Sequence, residues 1–208
     1  MKEKQDYIRD IAEMRSMMER SSRFLSLSGL AGVMAGIYAL AGAYVAYQVL
    51  GFKPGVVDYS TESTALFHSP LGQVMLLALL ILVLAVGTAI FLSWKKAVKR
   101  HEKFYNATAR RVMINMAVPL ITGGLFILLL IDKGLIELLA PCTLLFYGLA
   151  LYNAGKFTYN EVKSLGIIQI ALGLVSAYMI TYGVLFWAIG FGLVHIIYGI
   201  YIHYKYER

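Results

Sequence analysis

Residues 71–94 read LGQVMLLALLILVLAVGTAIFLSW, and the next nine residues, 95–103, read KKAVKRHEK. The first stretch carries no charged residue over 24 positions, which is enough helix to cross a hydrocarbon layer about 30 Å thick. Trp94 and a cluster of basic residues follow at its end, where a membrane helix meets the lipid headgroups. The stretch therefore predicts a transmembrane helix.

Five further apolar stretches of similar length lie on either side of this one. Together the six predict spans at about 24–50, 71–94, 112–131, 135–154, 165–182 and 185–204. The chain is 59% hydrophobic and only 15% charged, a composition that argues against a soluble domain. We therefore expect an all-α, polytopic membrane protein with one transmembrane domain over residues 24–208.

The basic residues fall on every other connection between the spans. Residues 1–23, 95–111, 155–164 and 205–208 hold 17 of the 19 Lys and Arg residues. Basic residues beside membrane spans stay on the cytoplasmic side. The pattern predicts three helical hairpins with both termini in the cytoplasm.

The segment 1–23 has the pattern of a cytoplasmic amphipathic helix. Its apolar stripe continues in phase into small residues of the first span, and the stripe consists of Tyr7, Ile11, Met14, Met18, Ser21, Leu25, Ser28, Gly32, Ala35, Ala39, Gly42 and Ala46. Small residues let membrane helices approach closely. The partner is either another helix of this chain or a second copy, and the cytoplasmic part could bind another protein.

The second connection is the most basic segment of the chain. Its cations could hold anionic lipid headgroups or a protein partner, and they are Lys95, Lys96, Lys99, Arg100, Lys103, Arg110 and Arg111. A simpler interpretation is that they anchor the topology and touch headgroups without specificity. No glycine-rich phosphate loop accompanies them, and we expect no nucleic-acid partner.

His195 is the one ionisable residue placed near the middle of a span. It lies on the small-residue face of the sixth span, and the hairpin geometry puts Gln169 at a similar depth. His195, Gln169 and Tyr198 could therefore line an intramembrane polar site or a proton path. The alternative is a neutral histidine that hydrogen-bonds a neighbouring helix and serves only packing.

Motifs of catalysis and metal binding are missing from the sequence. His101-Glu102 is not followed by the second histidine of a metalloprotease helix, and Ser28-Gly29 lacks the first glycine of a nucleophile elbow. The histidines do not gather at one depth, and Cys142 is the single cysteine. We expect no enzyme activity, no cofactor and no metal site.

The second and third hairpins share a glycine pattern that indicates an internal repeat, although glycines are common enough in membrane helices to align by chance. The matching positions are Gly124 with Gly173, Gly134 with Gly183, and Tyr147-Gly148 with Tyr198-Gly199. Over about 120–204 this pattern resembles the small six-span bacterial membrane proteins of the acid-resistance HdeD type, from which the long first outer loop departs. The resemblance implies a bacterial inner-membrane protein with an accessory, stress-response or regulatory role. A small transporter or channel with a polar path near His195 is the alternative.

Overall fold

The computed structural model describes residues 28–54, 69–99, 105 and 107–207, together with Tyr7, Ile11 and Met14. Within these residues six helices are long and apolar enough to cross a membrane. They are α1 (Gly29–Val49), α2 (Pro70–Lys99), α3 (Ala107–Asp132), α4 (Ile136–Ala154), α5 (Asn160–Tyr178) and α6 (Ile180–Tyr206). For the described residues, this confirms the predicted all-helical class with six helices that are long and apolar enough to span a membrane.

The helix ends differ from the predicted span ends where polar residues continue a helix beyond the apolar stretch. α2 runs on to Lys99 and α3 already begins at Ala107, because residues 95–111 contain no proline or glycine to stop a helix. α5 begins at Asn160 and ends at Tyr178. The break before α6 is at Met179, with φ −108° and ψ 61°.

The turn between α3 and α4 is a helix cap built on one glycine. Gly134 has φ +69°, a left-handed conformation that costs glycine little. Its N–H donates to the Ile131 carbonyl at 3.0 Å, and the Leu135 N–H donates to the Leu130 carbonyl at 2.9 Å. This pair of bonds is the Schellman motif, which satisfies the last carbonyls of α3 and turns the chain sharply.

Glycines allow the backbones of neighbouring helices to approach closely at two crossings. In the crossing of α4 with α5, a Cβ on Gly148 would lie 2.8 Å from the Gly166 carbonyl oxygen. In the crossing of α1 with α6, a Cβ on Gly29 would lie 2.5 Å from the Gly199 carbonyl oxygen. Any side chain at these positions would push the backbones apart, so glycine permits the approach. The small residues of α1 thus pack within the same chain.

The strongest helix contacts join α4 to α5, α3 to α4, α1 to α6 and α1 to α2. α6 also contacts α4 and α5 and so connects the two halves of the bundle. One buried apolar cluster lies among α3–α6, around Leu151 and Val162. A second lies at the opposite end, around Phe52 and Ile136.

Most of the predicted N-terminal amphipathic helix lies outside the described residues. Tyr7, Ile11 and Met14 of its apolar stripe are described, and each is helical. All three side chains are exposed. This part of the stripe is therefore uncovered in the monomer.

Candidate functional site

His195 lies in a buried polar site formed by α4, α5 and α6. Its Nδ1 is 2.8 Å from the Gly190 carbonyl oxygen, and its Nε2 is 2.9 Å from the Tyr147 hydroxyl. Gln169 is fully buried, and its Nε2 donates to the same Gly190 carbonyl at 2.8 Å. The structure therefore brings together two of the three residues that the sequence grouped, His195 and Gln169.

These contacts define the protonation of a neutral His195. A carbonyl oxygen can only accept, so Nδ1 carries the hydrogen that is donated to Gly190. Nε2 is then the acceptor for the Tyr147 hydroxyl. Gln169 Nε2 lies 3.3 Å from His195 Nδ1. Both nitrogens are donors, and both donate to the Gly190 carbonyl. Both ring nitrogens are thus occupied by groups of the protein.

The backbone of α6 is adapted to this site. Residues Ala188–Val194 form a π-helix, which widens the turn that ends at His195. Such segments leave carbonyls outside the regular α-helical ladder, where side chains can reach them. Helical side chains tilt towards the N-terminus, which brings the His195 ring back to Gly190. A Cβ on Gly190 would lie 2.6 Å from Gln169 Oε1, so glycine also makes room for the amide.

Tyr147 supplies the hydroxyl that the sequence assigned to Tyr198. Its ring packs against the rings of His195 and Phe191, with centroids 5.4 Å and 5.0 Å apart. Tyr198 instead interacts with Ser164 of α5. The two tyrosines match in the predicted repeat, and that match could have pointed to Tyr147 as a second candidate.

One face of α5 carries two buried oxygen atoms without a hydrogen-bond partner. They are Gln169 Oε1 and Ser176 Oγ, which lie two helical turns apart. A buried acceptor without a donor costs about 1–3 kcal/mol, so such atoms usually bind a water molecule or a ligand donor. Next to His195, Gln169 Oε1 is the atom with spare hydrogen-bonding capacity.

A second polar cluster, the basic-end cluster, lies where α2 and α6 end and α1 begins. The Glu207 carboxylate accepts from Lys96 Nζ at 2.9 Å, from the Gly29 N–H at 2.8 Å and from His203 Nδ1 at 2.5 Å. The side chains of Lys96 and Glu207 are only 11% and 10% exposed, so the pair is desolvated and its bonds are stronger than those of a surface pair. The Glu207 carboxylate thus bonds to α1, α2 and α6 at the same time.

The cluster continues from Lys96 towards α5. Lys96 Nζ also donates to the Tyr159 hydroxyl at 3.4 Å. The Tyr159 ring stacks on Tyr206 at 4.2 Å between centroids. The Tyr206 hydroxyl donates to Glu161 at 3.0 Å, and Lys205 pairs with the same carboxylate at 2.6 Å. A continuous series of hydrogen bonds, ion pairs and one ring stack thus joins α1, α2, α5 and α6 at one end of the bundle.

Glu207 is charged at neutral pH because its partners outweigh its burial. Burial alone would raise the pKa of this carboxyl. The bonds from His203, Lys96 and the Gly29 N–H act in the opposite direction and hold the pKa below its ordinary value. Sequence reasoning missed Glu207, although its position four residues after His203 is the spacing of a helical side-chain pair.

The basic residues of the second connection divide into different environments. Lys96 belongs to the basic-end cluster, whereas Lys95, Lys99, Arg110 and Arg111 are exposed. Arg100 and Lys103 lie outside the described residues. Four described cations of the predicted cytoplasmic surface are therefore exposed, whereas Lys96 is engaged in an internal contact with Glu207.

At the opposite end of the bundle, Asp132 pairs with Lys133 at 3.4 Å and both side chains are solvent-exposed. Among the described residues no group of three or more His, Cys, Asp and Glu side chains is arranged to hold a metal ion.

Comparison of the chain with protein families, with curated proteins and with solved structures gives no match.

Proposed function

We propose that this protein is an accessory or regulatory component of a bacterial inner membrane. In this proposal the six helices form three hairpins, and both termini lie in the cytoplasm. The alternation of basic connections supports this orientation, because basic residues beside spans are retained on the cytoplasmic side. The resemblance of residues 120–204 to the HdeD type supports a stress-related role without catalysis.

The basic-end cluster is the observation that carries the regulatory role. Glu207 connects the first residue of α1 to Lys96 of α2 and to His203 of α6. A partner that binds the N-terminal segment before Gly29 would act directly on this junction of three helices. Binding in the cytoplasm would thereby reach the transmembrane helices through one carboxylate.

The test is to identify proteins that depend on the N-terminal segment. The full chain, a variant without residues 1–23 and the variant Lys133→Ala would be crosslinked in cells of the native host and compared by quantitative mass spectrometry. We expect a partner that is lost with residues 1–23 and retained with Lys133→Ala, which changes the opposite end. Identical profiles for all three chains would contradict the proposal.

A small transporter or channel remains the second candidate, and Gln169 supports it. The unpartnered Gln169 Oε1 lies beside His195, so the site has a free acceptor for a water molecule or a transported proton donor. Proton or solute flux in proteoliposomes that is abolished by His195→Phe, in protein that remains folded, would favour transport. Unchanged flux in that variant would reject a path through His195.

A further inference from the structure

The π-helix of α6, Ala188–Val194, is packed between α1 and α5. On the α5 side, a Cβ on Gly190 would lie 2.6 Å from Gln169 Oε1. On the α1 side, a Cβ on Gly192 would lie 2.6 Å from Leu40 Cγ. Residues two apart lie on roughly opposite sides of a helix, so the two glycines face different neighbours. Neither has room for a methyl group, and the π-helix is therefore in tight contact on both sides.

α1 lies along the backbone of α6 from the basic-end cluster to this π-helix. At the cluster, the Gly29 N–H donates to the Glu207 carboxylate at 2.8 Å. Two turns into α1, a Cβ on Gly36 would lie 2.6 Å from the Gly192 carbonyl oxygen. Backbones in direct contact transmit a displacement, because no flexible side chain between them can absorb it. One helix therefore contacts both the Glu207 carboxylate and the π-helix.

The Gly190 carbonyl of the π-helix determines which nitrogen of His195 carries the hydrogen. While this carbonyl lies 2.8 Å from Nδ1, Nδ1 donates to it and Nε2 accepts from the Tyr147 hydroxyl. If the carbonyl withdraws, partners for the other neutral tautomer are already in place. Gln169 Nε2, 3.3 Å from Nδ1, then donates to it, and the Nε2 hydrogen is donated to Tyr147. We call these four groups the His195 site.

We infer that α1 couples the basic-end cluster to the His195 site by holding the π-helix where the Gly190 carbonyl accepts from Nδ1. Loosening α1 at Leu40 or at Glu207 lets this carbonyl move away and shifts His195 towards the tautomer that is protonated at Nε2. Leu40 and Glu207 are therefore positioning residues, which act on the ring through the π-helix. The coupling belongs to the chain alone and holds whether or not a partner binds the N-terminal segment.

Nitrogen-15 NMR of the histidine-labelled full chain in phospholipid bilayers tests the step from α1 to the ring. Protonated and unprotonated ring nitrogens give separate signals, and the signals lost in His195→Phe identify this residue. Wild type should carry its hydrogen on Nδ1. In Leu40→Ala the population protonated at Nε2 should rise about two- to tenfold, which corresponds to one lost hydrogen bond. Leu40→Met keeps the side-chain volume and should restore the wild-type spectrum.

The matched control for Leu40→Ala is Ile37→Ala, which shortens an exposed aliphatic side chain of the same helix. We expect its spectrum to equal that of wild type. A wild-type ring protonated at Nε2, an unchanged spectrum in Leu40→Ala, or equal changes in the two alanine variants would overturn the inference.

The same spectra test the step from the basic end. Glu207→Ala removes the acceptor of the Gly29 N–H. Glu161→Ala makes the same chemical change at the same end, but its carboxylate contacts Lys205 and Tyr206 and not α1. We expect the population protonated at Nε2 to rise in Glu207→Ala and to stay at the wild-type level in Glu161→Ala. No change in Glu207→Ala, or equal changes in both variants, would overturn the coupling.

Hydrogen exchange separates this coupling from a general loss of stability. Peptides that contain Ala188–Val194 should exchange faster in Leu40→Ala and Glu207→Ala than in wild type. Peptides of α3, which packs mainly on α4, should keep their wild-type rates. Equal acceleration in α3 would show that the variants are destabilised as a whole and would overturn the coupling. Size-exclusion elution establishes that each variant is folded.

Discussion

At the scale of single residues, His195 shows how a polar side chain can be accommodated inside a membrane domain. An ionisable group at this depth is costly unless protein groups satisfy it. Gly190 accepts from Nδ1 and Tyr147 donates to Nε2, so the neutral ring is fully hydrogen-bonded. Gln169 Oε1, which has no hydrogen-bond partner, can still accept a hydrogen bond. The site therefore stabilises the contact of α6 with α4 and α5 whether or not it also carries a transport path.

A double-mutant cycle measures the bond between Tyr147 and His195. Tyr147→Phe leaves Nε2 without a donor, and His195→Phe leaves the Tyr147 hydroxyl without its acceptor. We expect each change to lower the unfolding free energy by about 1–3 kcal/mol, because a buried polar group loses its partner. The double variant should lose less than the sum, by about 1 kcal/mol. Unfolding in mixed micelles with increasing SDS gives these values, and additive losses would contradict the bond.

Glu207 predicts a pH dependence of stability. Its folded-state pKa is lowered, although burial acts against this, by the bonds from His203, Lys96 and Gly29. A lowered carboxyl pKa contributes stability that is fully present above the unfolded value of about 4.3 and is lost as pH falls through the folded value. The melting temperature of wild type should exceed that of Glu207→Gln at pH 7. The difference should shrink below about pH 4, and a pH-independent difference would contradict the role of the charge.

At the scale of helices, the apolar stretches predict the existence of each helix better than they predict its backbone geometry. Each long uncharged run became a helix because the bilayer requires it. The π-helices Val45–Val49 and Ala188–Val194 could not be predicted from periodicity, since the same residues also suit an α-helix. The proximity of Gln169 and His195 could be predicted from the similar depth of the two residues in the third hairpin. The hydrogen bond from the Tyr147 hydroxyl could not, because it arises from the contact of α4 with α6, and residue spacing within one helix gives no information on which helices are neighbours.

Two similar glycine substitutions should have different effects on stability, because one lies at a close helix crossing and the other does not. A Cβ on Gly199 would lie 2.6 Å from the Gly29 carbonyl oxygen, and that backbone atom cannot move aside. A Cβ on Gly124 would meet no atom within 4 Å. Gly199→Ala should lower the unfolding free energy by about 1–3 kcal/mol through overpacking of α1 against α6. Gly124→Ala should be neutral or slightly stabilising, since alanine favours a helix. Equal effects in detergent unfolding would show that the close crossing is absent.

At the scale of the whole molecule, the contacts run from α2 through α1 and α6 to α4, α5 and α3. The least covered helices, α2 and α3, are thus at the two ends of this series and are joined by the most basic connection. The basic-end cluster lies at the same end of the bundle, where Lys96 reaches Glu207. The proposed interaction with a cytoplasmic partner therefore depends on which side of the membrane this end occupies.

Cysteine labelling in intact cells determines that side. Cys142 would first be replaced by Ala, and Lys133→Cys and Lys156→Cys would then be introduced separately. Lys133 and Lys156 are both exposed and lie at opposite ends of α4. The charge distribution predicts that a membrane-impermeant maleimide labels Lys133→Cys from outside and labels Lys156→Cys only after permeabilisation. The reverse pattern would place the basic end outside the cell. In that case residues 1–23 could not bind a cytoplasmic partner.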